Sequence, residues 1–224
     1  MTVNIIETLG ASESGGSASV SVTTTLTGND RVVVAIVKST TTGTPTASGF
    51  SATWTNNAFY TLSAADVVFM SASGMTGTGT VTVAGLSTGA DIVVYVLRSS
   101  VGNAVVYSVG SGAGNASIAA NTALTTSSNS ALAGSMLFMA GGVNAGNITM
   151  PYTGASPSSG WTQDRLTASR RKFMHLSTAS DTALIGSLTS DTTYPGACVV
   201  ASYYDNDVPT PPPSSFTGWG VPIF

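Results

Sequence analysis

Apolar and polar residues alternate along most of this chain with a period of two. Between Ala18 and Leu26, Ala, Val and Leu alternate with Ser and Thr. Because successive side chains of a strand point to opposite faces, this stretch is predicted to be a strand with one buried face. Arg31–Lys38 and Asp91–Arg98 are apolar at every internal position, which predicts two central strands buried on both faces.

The same pattern recurs as far as Tyr204, and no stretch has the periodicity of a convincing helix. Roughly eleven to thirteen strands at intervals of 8–12 residues are typical of sandwiches and barrels. We therefore predict one all-β domain over residues 1–205, an antiparallel β-sandwich, with a jelly roll preferred over an immunoglobulin-like fold. No exact repeat of 20–50 residues is found. The remaining predicted strands are Phe50–Trp54, Ala58–Leu62, Asp66–Ser71, Thr78–Ala84, Asn103–Val109, Thr122–Thr126, Gly134–Gly141, Arg170–Thr178 and Pro195–Tyr204.

Two segments rich in glycine are predicted to be loops. Gly110–Asn115 is interpreted as a flexible loop, and its glycine spacing does not fit a nucleotide-binding loop. Asn144–Ser159 is predicted to be a long exposed loop, a place where binding residues often lie. Tyr152 and Trp161 beside this loop are candidates for stacking on a glycan, and a core or subunit contact is the alternative for both.

The C-terminus changes character after the last predicted strand. Residues 206–224 are predicted to form an arm, in which Pro209–Pro213 is an extended polyproline spacer. The arm either folds back on its own sandwich or docks on a neighbouring subunit, since a free apolar tip would expose an aggregation-prone surface. We expect Met1–Leu9 to make intersubunit contacts as well. The predicted partner-contact residues of the arm are Phe216, Trp219, Val221, Ile223 and Phe224.

Composition excludes several classes of protein. The 224 residues carry a formal net charge of −3, and only 8% are charged, compared with about 25% in ordinary domains. About 65 residues are Ser or Thr, which predicts a surface of hydroxyls rather than ions. An acidic pI near 4.7 argues against a nucleic-acid partner. We also expect no membrane span and no signal peptide, because no apolar run is long enough.

Candidate catalytic chemistry is sparse. The only His, His175, is not accompanied by a Gly-x-Ser-x-Gly motif, and the only Cys, Cys198, lies in an apolar run. The sequence therefore predicts no catalytic, cofactor-binding or metal-binding residue and no cofactor. Paired carboxylates for glycoside cleavage can come from distant positions, so a jelly-roll hydrolase or lyase stays open as an alternative.

Three of the seven basic residues stand together as Arg170-Arg171-Lys172. Strand alternation places Arg170 and Lys172 on one side and Arg171 on the other. We interpret the run as protection of a strand start or edge against unwanted pairing. Complementarity to an acidic partner is the alternative.

The low charge, the all-strand pattern, the Ser/Thr/Gly/Ala loops, and the paired apolar strands Val32–Val37 and Ile92–Leu97 together resemble a known class. A start at Met1-Thr-Val and an end at Phe216–Ile223 complete the likeness. The chain resembles tailed-bacteriophage virion proteins of the head decoration (cement) type and related tail or fibre modules. The resemblance implies a jelly-roll or immunoglobulin-like sandwich without enzymatic activity.

The resemblance further implies homo-oligomers, often trimers, that bind the major capsid protein and copies of themselves. The expected function is thus to decorate and reinforce a phage capsid, with assembly into the virion after synthesis in the host cytoplasm. The alternative is a tail or fibre component that binds a host-surface glycan through Tyr152 and Trp161.

Overall fold

The fold is all-β, as a computed structural model shows for residues 1–38, 44–62, 65–86, 89–167 and 169–207. These described residues form eighteen strands and no helix. The first eight are β1 (Val3–Ser12), β2 (Ser17–Thr27), β3 (Arg31–Lys38), β4 (Thr46–Ser48), β5 (Thr55–Leu62), β6 (Ala65–Ser73), β7 (Thr76–Ala84) and β8 (Asp91–Ser99). The next ten are β9 (Val105–Ile118), β10 (Leu124–Thr125), β11 (Asn129–Ala131), β12 (Met136–Val143), β13 (Ile148–Thr149), β14 (Thr162–Thr167), β15 (Arg171–Ser177), β16 (Thr182–Leu184), β17 (Ser187–Ser190) and β18 (Tyr194–Asp205).

Two five-stranded antiparallel sheets form the middle of the molecule. Their strand orders are β1-β8-β3-β6-β5 and β14-β15-β12-β18-β9. A three-stranded sheet, β2-β7-β4, covers the outer face of the first, and the short sheets β10-β17-β13 and β11-β16 cover the outer face of the second. The predicted antiparallel sandwich is confirmed, and it consists of four stacked layers.

Three hydrophobic clusters lie between these four layers. Val33 and Ala35 of β3 face the other central sheet, whereas Val34 and Ile36 face the outer sheet. This alternation explains why β3 is apolar at every internal position, since it is buried on both sides. In the middle cluster the Phe138 ring lies 4.6 Å from the Tyr95 ring and 5.5 Å from the Tyr203 ring, between centroids.

The two halves of the chain have the same strand order. We call β1–β8 the first half and β9–β18 the second half. Strands 1-8-3-6-5 of the first half correspond in order to 9-18-12-15-14 of the second. Ala35 lies opposite Phe69 and Val93. In the second half, the same register places Ala140 opposite Phe173 and Val199. The fold is therefore duplicated within the chain.

A sequence signal for this duplication exists, although its period is longer than 20–50 residues. Trp54-Thr55 leads into β5 and Trp161-Thr162 leads into the corresponding β14. Phe69-Met70 and Phe173-Met174 occupy corresponding positions of β6 and β15. Two short matches in a chain of 224 residues are visible only after the register is known.

The prediction of a flexible loop at Gly110–Asn115 is wrong, because these residues belong to the long strand β9. Gly110, Gly112 and Gly114 face β5 of the first half. A Cβ atom at Gly112 would lie 2.7 Å from the carbonyl oxygen of Phe59. The glycines are required because the two backbones approach too closely for side chains.

The predicted strand Phe50–Trp54 is also wrong. These residues form a loop, and Phe50 and Ser51 have positive φ angles of 56° and 53°. The apolar alternation of this segment comes from packing of Phe50, Ala52 and Trp54 against the outer cluster of the first half.

Other predictions concern the ends of the chain. The predicted N-terminal contact segment, Met1–Leu9, lies mostly in β1, which pairs with β8 of the same chain. Its intersubunit role stays a prediction, as does the division into one domain at 1–205 and an arm. The arm's partner-contact residues, Phe216, Trp219, Val221, Ile223 and Phe224, lie outside the described residues.

Candidate functional site

The two predicted glycan-contact residues, Tyr152 and Trp161, are both half-buried. The Tyr152 hydroxyl donates to the carbonyl oxygen of Asn121 at 3.3 Å, and the Trp161 indole N–H donates to that of Pro157 at 2.8 Å. Trp161 also packs against the outer cluster of the second half. Both polar atoms thus hold the loop in place, and the glycan role of these rings stays a prediction.

The segment Asn144–Ser159 is less exposed than its composition predicts. Ile148, Met150 and Ala155 are buried in the outer cluster of the second half. Their apolar side chains anchor the loop, whereas Thr149, Thr153 and Gly154 between them are exposed.

A buried carboxylate joins the two halves at one end of the central layers. Asp91 begins β8, and its Oδ2 accepts from Arg171 Nε at 2.5 Å. Its Oδ1 accepts from Arg165 Nη2 at 3.0 Å and from the Ser12 hydroxyl at 2.7 Å. The Asp91 side chain is fully buried. Because β1 and β8 supply the acid and its hydroxyl while β14 and β15 supply both cations, this cluster acts as a joint between the halves.

The only His takes part in a second contact between the halves. The Tyr95 hydroxyl donates to Asp164 Oδ2 at 2.8 Å, and the other oxygen of Asp164 lies 2.6 Å from His175 Nδ1. Burial is the main reason why the pKa of Tyr95 is raised well above its ordinary value. Tyr95 comes from β8, and both other side chains come from the second half. The aspartate thus orients a tyrosine and a histidine at the edge of the middle cluster.

All seven Lys and Arg side chains have partners within the chain. Lys38 pairs with Asp66 at 3.0 Å inside the first half, and Arg98 pairs with Asp30 at 2.6 Å. The basic run divides as the alternation predicts: Arg171 reaches Asp91, while Arg170 and Lys172 donate to the carbonyl oxygens of Asn144 and Met150. The hydrogen-bonded cations hold this fold together, which favours a structural interpretation of the run over an acidic partner.

Arg31, at the start of β3, differs from the paired cations. It is 9% exposed, and its Nε and Nη1 donate to the Val105 carbonyl at 2.7 Å and the Ser71 hydroxyl at 2.8 Å. Its guanidinium carbon lies 5.3 Å from the centre of the Tyr107 ring. Within the described ranges, no carboxylate forms an ion pair with it. Burial lowers the pKa of Arg31 from its ordinary value, but a guanidinium stays charged at neutral pH.

Arg31 lines a cleft of about 440 Å³ at the end of the central layers. One wall of the cleft is the loop that contains Phe50 and Ser51, whose positive φ angles are rare for residues other than glycine. The lining combines aromatic rings with several hydroxyls. The lining includes Tyr107, Phe50, Ser51, Thr53, Thr55 and Ser73.

A second cleft, of about 420 Å³, lies at the opposite end of β6. Its lining includes Phe59, which is 59% exposed, together with Pro45 and Val68. Asp66 is the only charged residue in the described lining, and it is paired with Lys38. The described lining therefore carries no net charge.

Cys198 is fully buried, and burial raises the pKa of its thiol to about 12. Over the part of the chain that the structure describes, no group of three or more His, Cys, Asp or Glu side chains is placed to hold a metal ion. No helix in these ranges is long and apolar enough to cross a membrane.

Comparison of the chain with protein-family models, with curated proteins and with solved structures gives no match. The function of the clefts and polar clusters is therefore inferred from their geometry alone. The sequence pattern missed Arg31, Tyr107, Asp91 and Asp164, because their partners are distant along the chain. The glycine alternation at 110–114 is the one local signal of the close contact between the halves.

Proposed function

We propose that this protein is a non-enzymatic structural protein of a bacteriophage virion, which decorates and reinforces the capsid. Its partners would be the major capsid protein and copies of itself in a homo-oligomer, with the virion as its location. The proposal rests on where the charged and the neutral polar groups lie. The cations are bound inside the chain, and the outer sheet β2-β7-β4 exposes hydroxyls.

The exposed face of that outer sheet is nearly all Ser and Thr. Ser19 lies opposite Thr82, and their hydroxyls are 2.9 Å apart. Ser21 lies opposite Thr80 in the same register. A neutral hydroxyl face has no like-charge repulsion to overcome when many copies pack side by side on a shell, since low net charge favours association. This supports an assembled role over a solitary one.

The strand order supports a jelly roll over an immunoglobulin-like sandwich. In each half, the first and last strands lie side by side in the larger sheet, and the second and next-to-last strands pair in a smaller one, as β2 with β7 and β10 with β17. We infer a jelly roll rather than an immunoglobulin-like sandwich from this order, since capsid proteins are among the proteins built on jelly rolls. The resemblance to decoration proteins is consistent with that inference.

A tail or fibre component that binds a host glycan is the second candidate. The cleft at Arg31, rather than Tyr152 and Trp161, is the observation that favours it, because the cleft combines a buried cation, aromatic rings and hydroxyls. A structural protein and a glycan-binding site are compatible in one virion protein, so the cleft is tested separately below.

The arm provides the test of the assembled role. We expect the full chain to form a homo-oligomer, and a variant truncated after Val208 to lose it, because the five apolar arm residues are removed. Light scattering coupled to size-exclusion chromatography measures the mass of each form. A matched control substitutes Thr122→Ala, an exposed threonine of the second half. We expect this control to leave the mass unchanged.

The same truncation is then tested on particles of the phage that encodes the chain. Occupancy on the particle is read by electron cryomicroscopy, and heat resistance by the release of DNA on warming. We expect both to fall when the arm is absent. A full chain that is monomeric at high concentration, and truncated particles that keep full occupancy and heat resistance, would refute the proposal.

A further inference from the structure

We propose that the Arg31 cleft binds a carboxylated sugar, of the uronic or sialic acid class. This site does not depend on the decoration role. The inference starts from a charge that the fold buries without an opposite charge. Arg31 is 91% buried, and its partners are a backbone carbonyl and hydroxyls. Burying a cation is unfavourable unless it is paired, so this position needs a reason.

The duplicated fold shows that the strand itself does not require a cation there. Arg31 lies opposite Leu97 and Ser73. In the second half, Met136 lies opposite the corresponding Tyr203 and Ser177. Met136 is buried and apolar. The same position of the same fold is thus filled by an uncharged side chain, which indicates that Arg31 serves the cleft rather than the sheet.

The geometry of the guanidinium leaves capacity for a ligand. Of its five N–H groups, one is directed to Val105, one to Ser71 and one, more weakly, to Ser73 at 3.4 Å. The flat guanidinium above Tyr107 presents a fork that suits a carboxylate. A carboxylate carries one negative charge and so matches the single cation of this cleft better than a phosphate dianion does.

The remaining lining suits a sugar ring. The Ser51, Thr53 and Thr55 side chains can donate and accept hydrogen bonds to ring hydroxyls. Phe50 and Tyr107 also line the cleft, and their rings can supply apolar contacts to the C–H groups of the sugar. The volume of about 440 Å³ lies within the roughly 300–1,000 Å³ that is usual for small-ligand sites. Positive φ angles at Phe50 and Ser51 hold this wall in an unusual conformation, as is frequent at ligand sites.

The test measures binding of D-glucuronate and N-acetylneuraminate to the full chain by saturation-transfer NMR and calorimetry. Methyl glucoside is the neutral control, and glucose 6-phosphate is the phosphate control. We expect both carboxylated sugars to bind with Kd values of about 1–10 mM. We expect the neutral and phosphorylated sugars to bind at least about tenfold more weakly. The neutral sugar has no anion to pair with Arg31, and a phosphate dianion leaves one negative charge uncompensated.

Four variants locate the site. Arg31→Met copies the residue that the second half carries at this position, so it should fold and should weaken glucuronate binding about tenfold or more. Thr53→Trp fills the cleft while Arg31 itself stays unsubstituted, and it should abolish binding. Thr122→Trp places the same ring at an exposed site of the second half, and Trp161→Ala removes the other candidate glycan contact. Both should leave the affinity unchanged.

Several outcomes would overturn the proposal. One is the absence of binding by either carboxylated sugar at 20 mM, a ceiling set by the roughly millimolar affinities expected of single sugars. Equal binding of the neutral sugar or preferred binding of the phosphate would do so too. Loss of binding in Trp161→Ala, with binding retained in Thr53→Trp, would move the site to the Tyr152 and Trp161 loop. Because none of these readouts measures oligomers or particles, they leave the decoration proposal unaffected.

Discussion

The first and second halves of the molecule have one strand order, but they place different side chains at equivalent positions. Val3 and Val105 begin equivalent strands, and both are buried in the cluster between the central sheets. Gly10 and Gly112 lie opposite the equivalent residues Val93 and Val199. At these positions the two halves agree, because each must satisfy the same packing.

The halves differ where polar groups enter the central layers. Asp91 of the first half corresponds to Ala197 of the second, since both lie two residues before the paired Val93 and Val199. Asp91 binds Arg165 and Arg171 of the second half. The polar residues of one half are thus complementary to those of the other. Shared apolar positions specify the strand order, whereas the polar differences specify that the first half packs on the second rather than on a copy of itself.

Removing the Asp91 carboxylate is the strongest way to break this asymmetric joint. We expect Asp91→Ala to lower the free energy of unfolding by about 3–5 kcal/mol, since a buried charge network loses its acid. Urea denaturation monitored by tryptophan fluorescence measures the change. Asp181→Ala removes an exposed carboxyl that accepts one backbone hydrogen bond, and it should cost less than about 1 kcal/mol.

A second substitution tests how much of the loss in Asp91→Ala comes from a cation left without its carboxylate. Arg171→Met in the Asp91→Ala background should recover part of the lost stability, because it removes a cation that has lost its carboxylate. If Asp91→Ala costs no more than the Asp181 control, the joint contributes nothing and the halves are held by apolar packing alone.

The sequence pattern predicts the innermost strands of the central sheets well. β3 begins and ends at the residues that the apolar run predicts, Arg31 and Lys38, and β8 begins at the predicted Asp91. These strands are recognisable because they are buried on both faces and hence apolar throughout. Only the first part of β9 is predicted, as the strand Asn103–Val109, because glycines replace apolar side chains in the second part. Pairing with β18 makes the glycine-rich part a strand, and the close approach of β5 accounts for its glycines; both partners are distant in sequence.

Gly112 tests that close approach between the halves. Its Cβ would lie 2.7 Å from the Phe59 carbonyl oxygen and 2.9 Å from Tyr60 Cβ, and a backbone atom cannot easily move aside. We expect Gly112→Ala to lower the free energy of unfolding by about 1–3 kcal/mol through overpacking. Chemical denaturation measures this, with Ala116→Val as the control. Ala116 is exposed on the same strand, so its enlargement should cost under about 0.5 kcal/mol. Equal costs for the two variants would contradict the contact.

The candidate site could be predicted less well than the fold. In the sequence, Arg31 is a charged residue that flanks an apolar run, which is common at the start of a strand. Its partners Ser71 and Tyr107 come from β6 and β9. The alternation did predict how the basic run divides, because Arg171 alone turns toward the central cluster. Local pattern thus predicts the face on which a side chain lies. It does not predict the partner that meets it there, since that depends on the stacking of the layers.

The smallest expected effect concerns a contact between two equivalent positions of the halves. Ser99 ends β8 and Asp205 ends β18, and the Ser99 hydroxyl donates to the Asp205 carboxylate. Burial alone would raise the pKa of Asp205, but hydrogen bonds from Ser99, from the backbone of Asp207 and from Asn103 outweigh it. The pKa therefore lies below its ordinary value.

A carboxyl whose pKa is lowered by folding stabilises the folded state above its unfolded pKa, about 3.9, and this contribution is lost as the pH falls through the folded value. We expect the free energy of unfolding to decrease below about pH 4, and Asp205→Asn to remove about 1 kcal/mol of that decrease between pH 7 and pH 2. Urea midpoints across this range measure it, with Asp181→Asn following the wild-type profile. If the Asp205→Asn profile runs parallel to that of the wild type, protonation of Asp205 does not contribute to the pH dependence of stability.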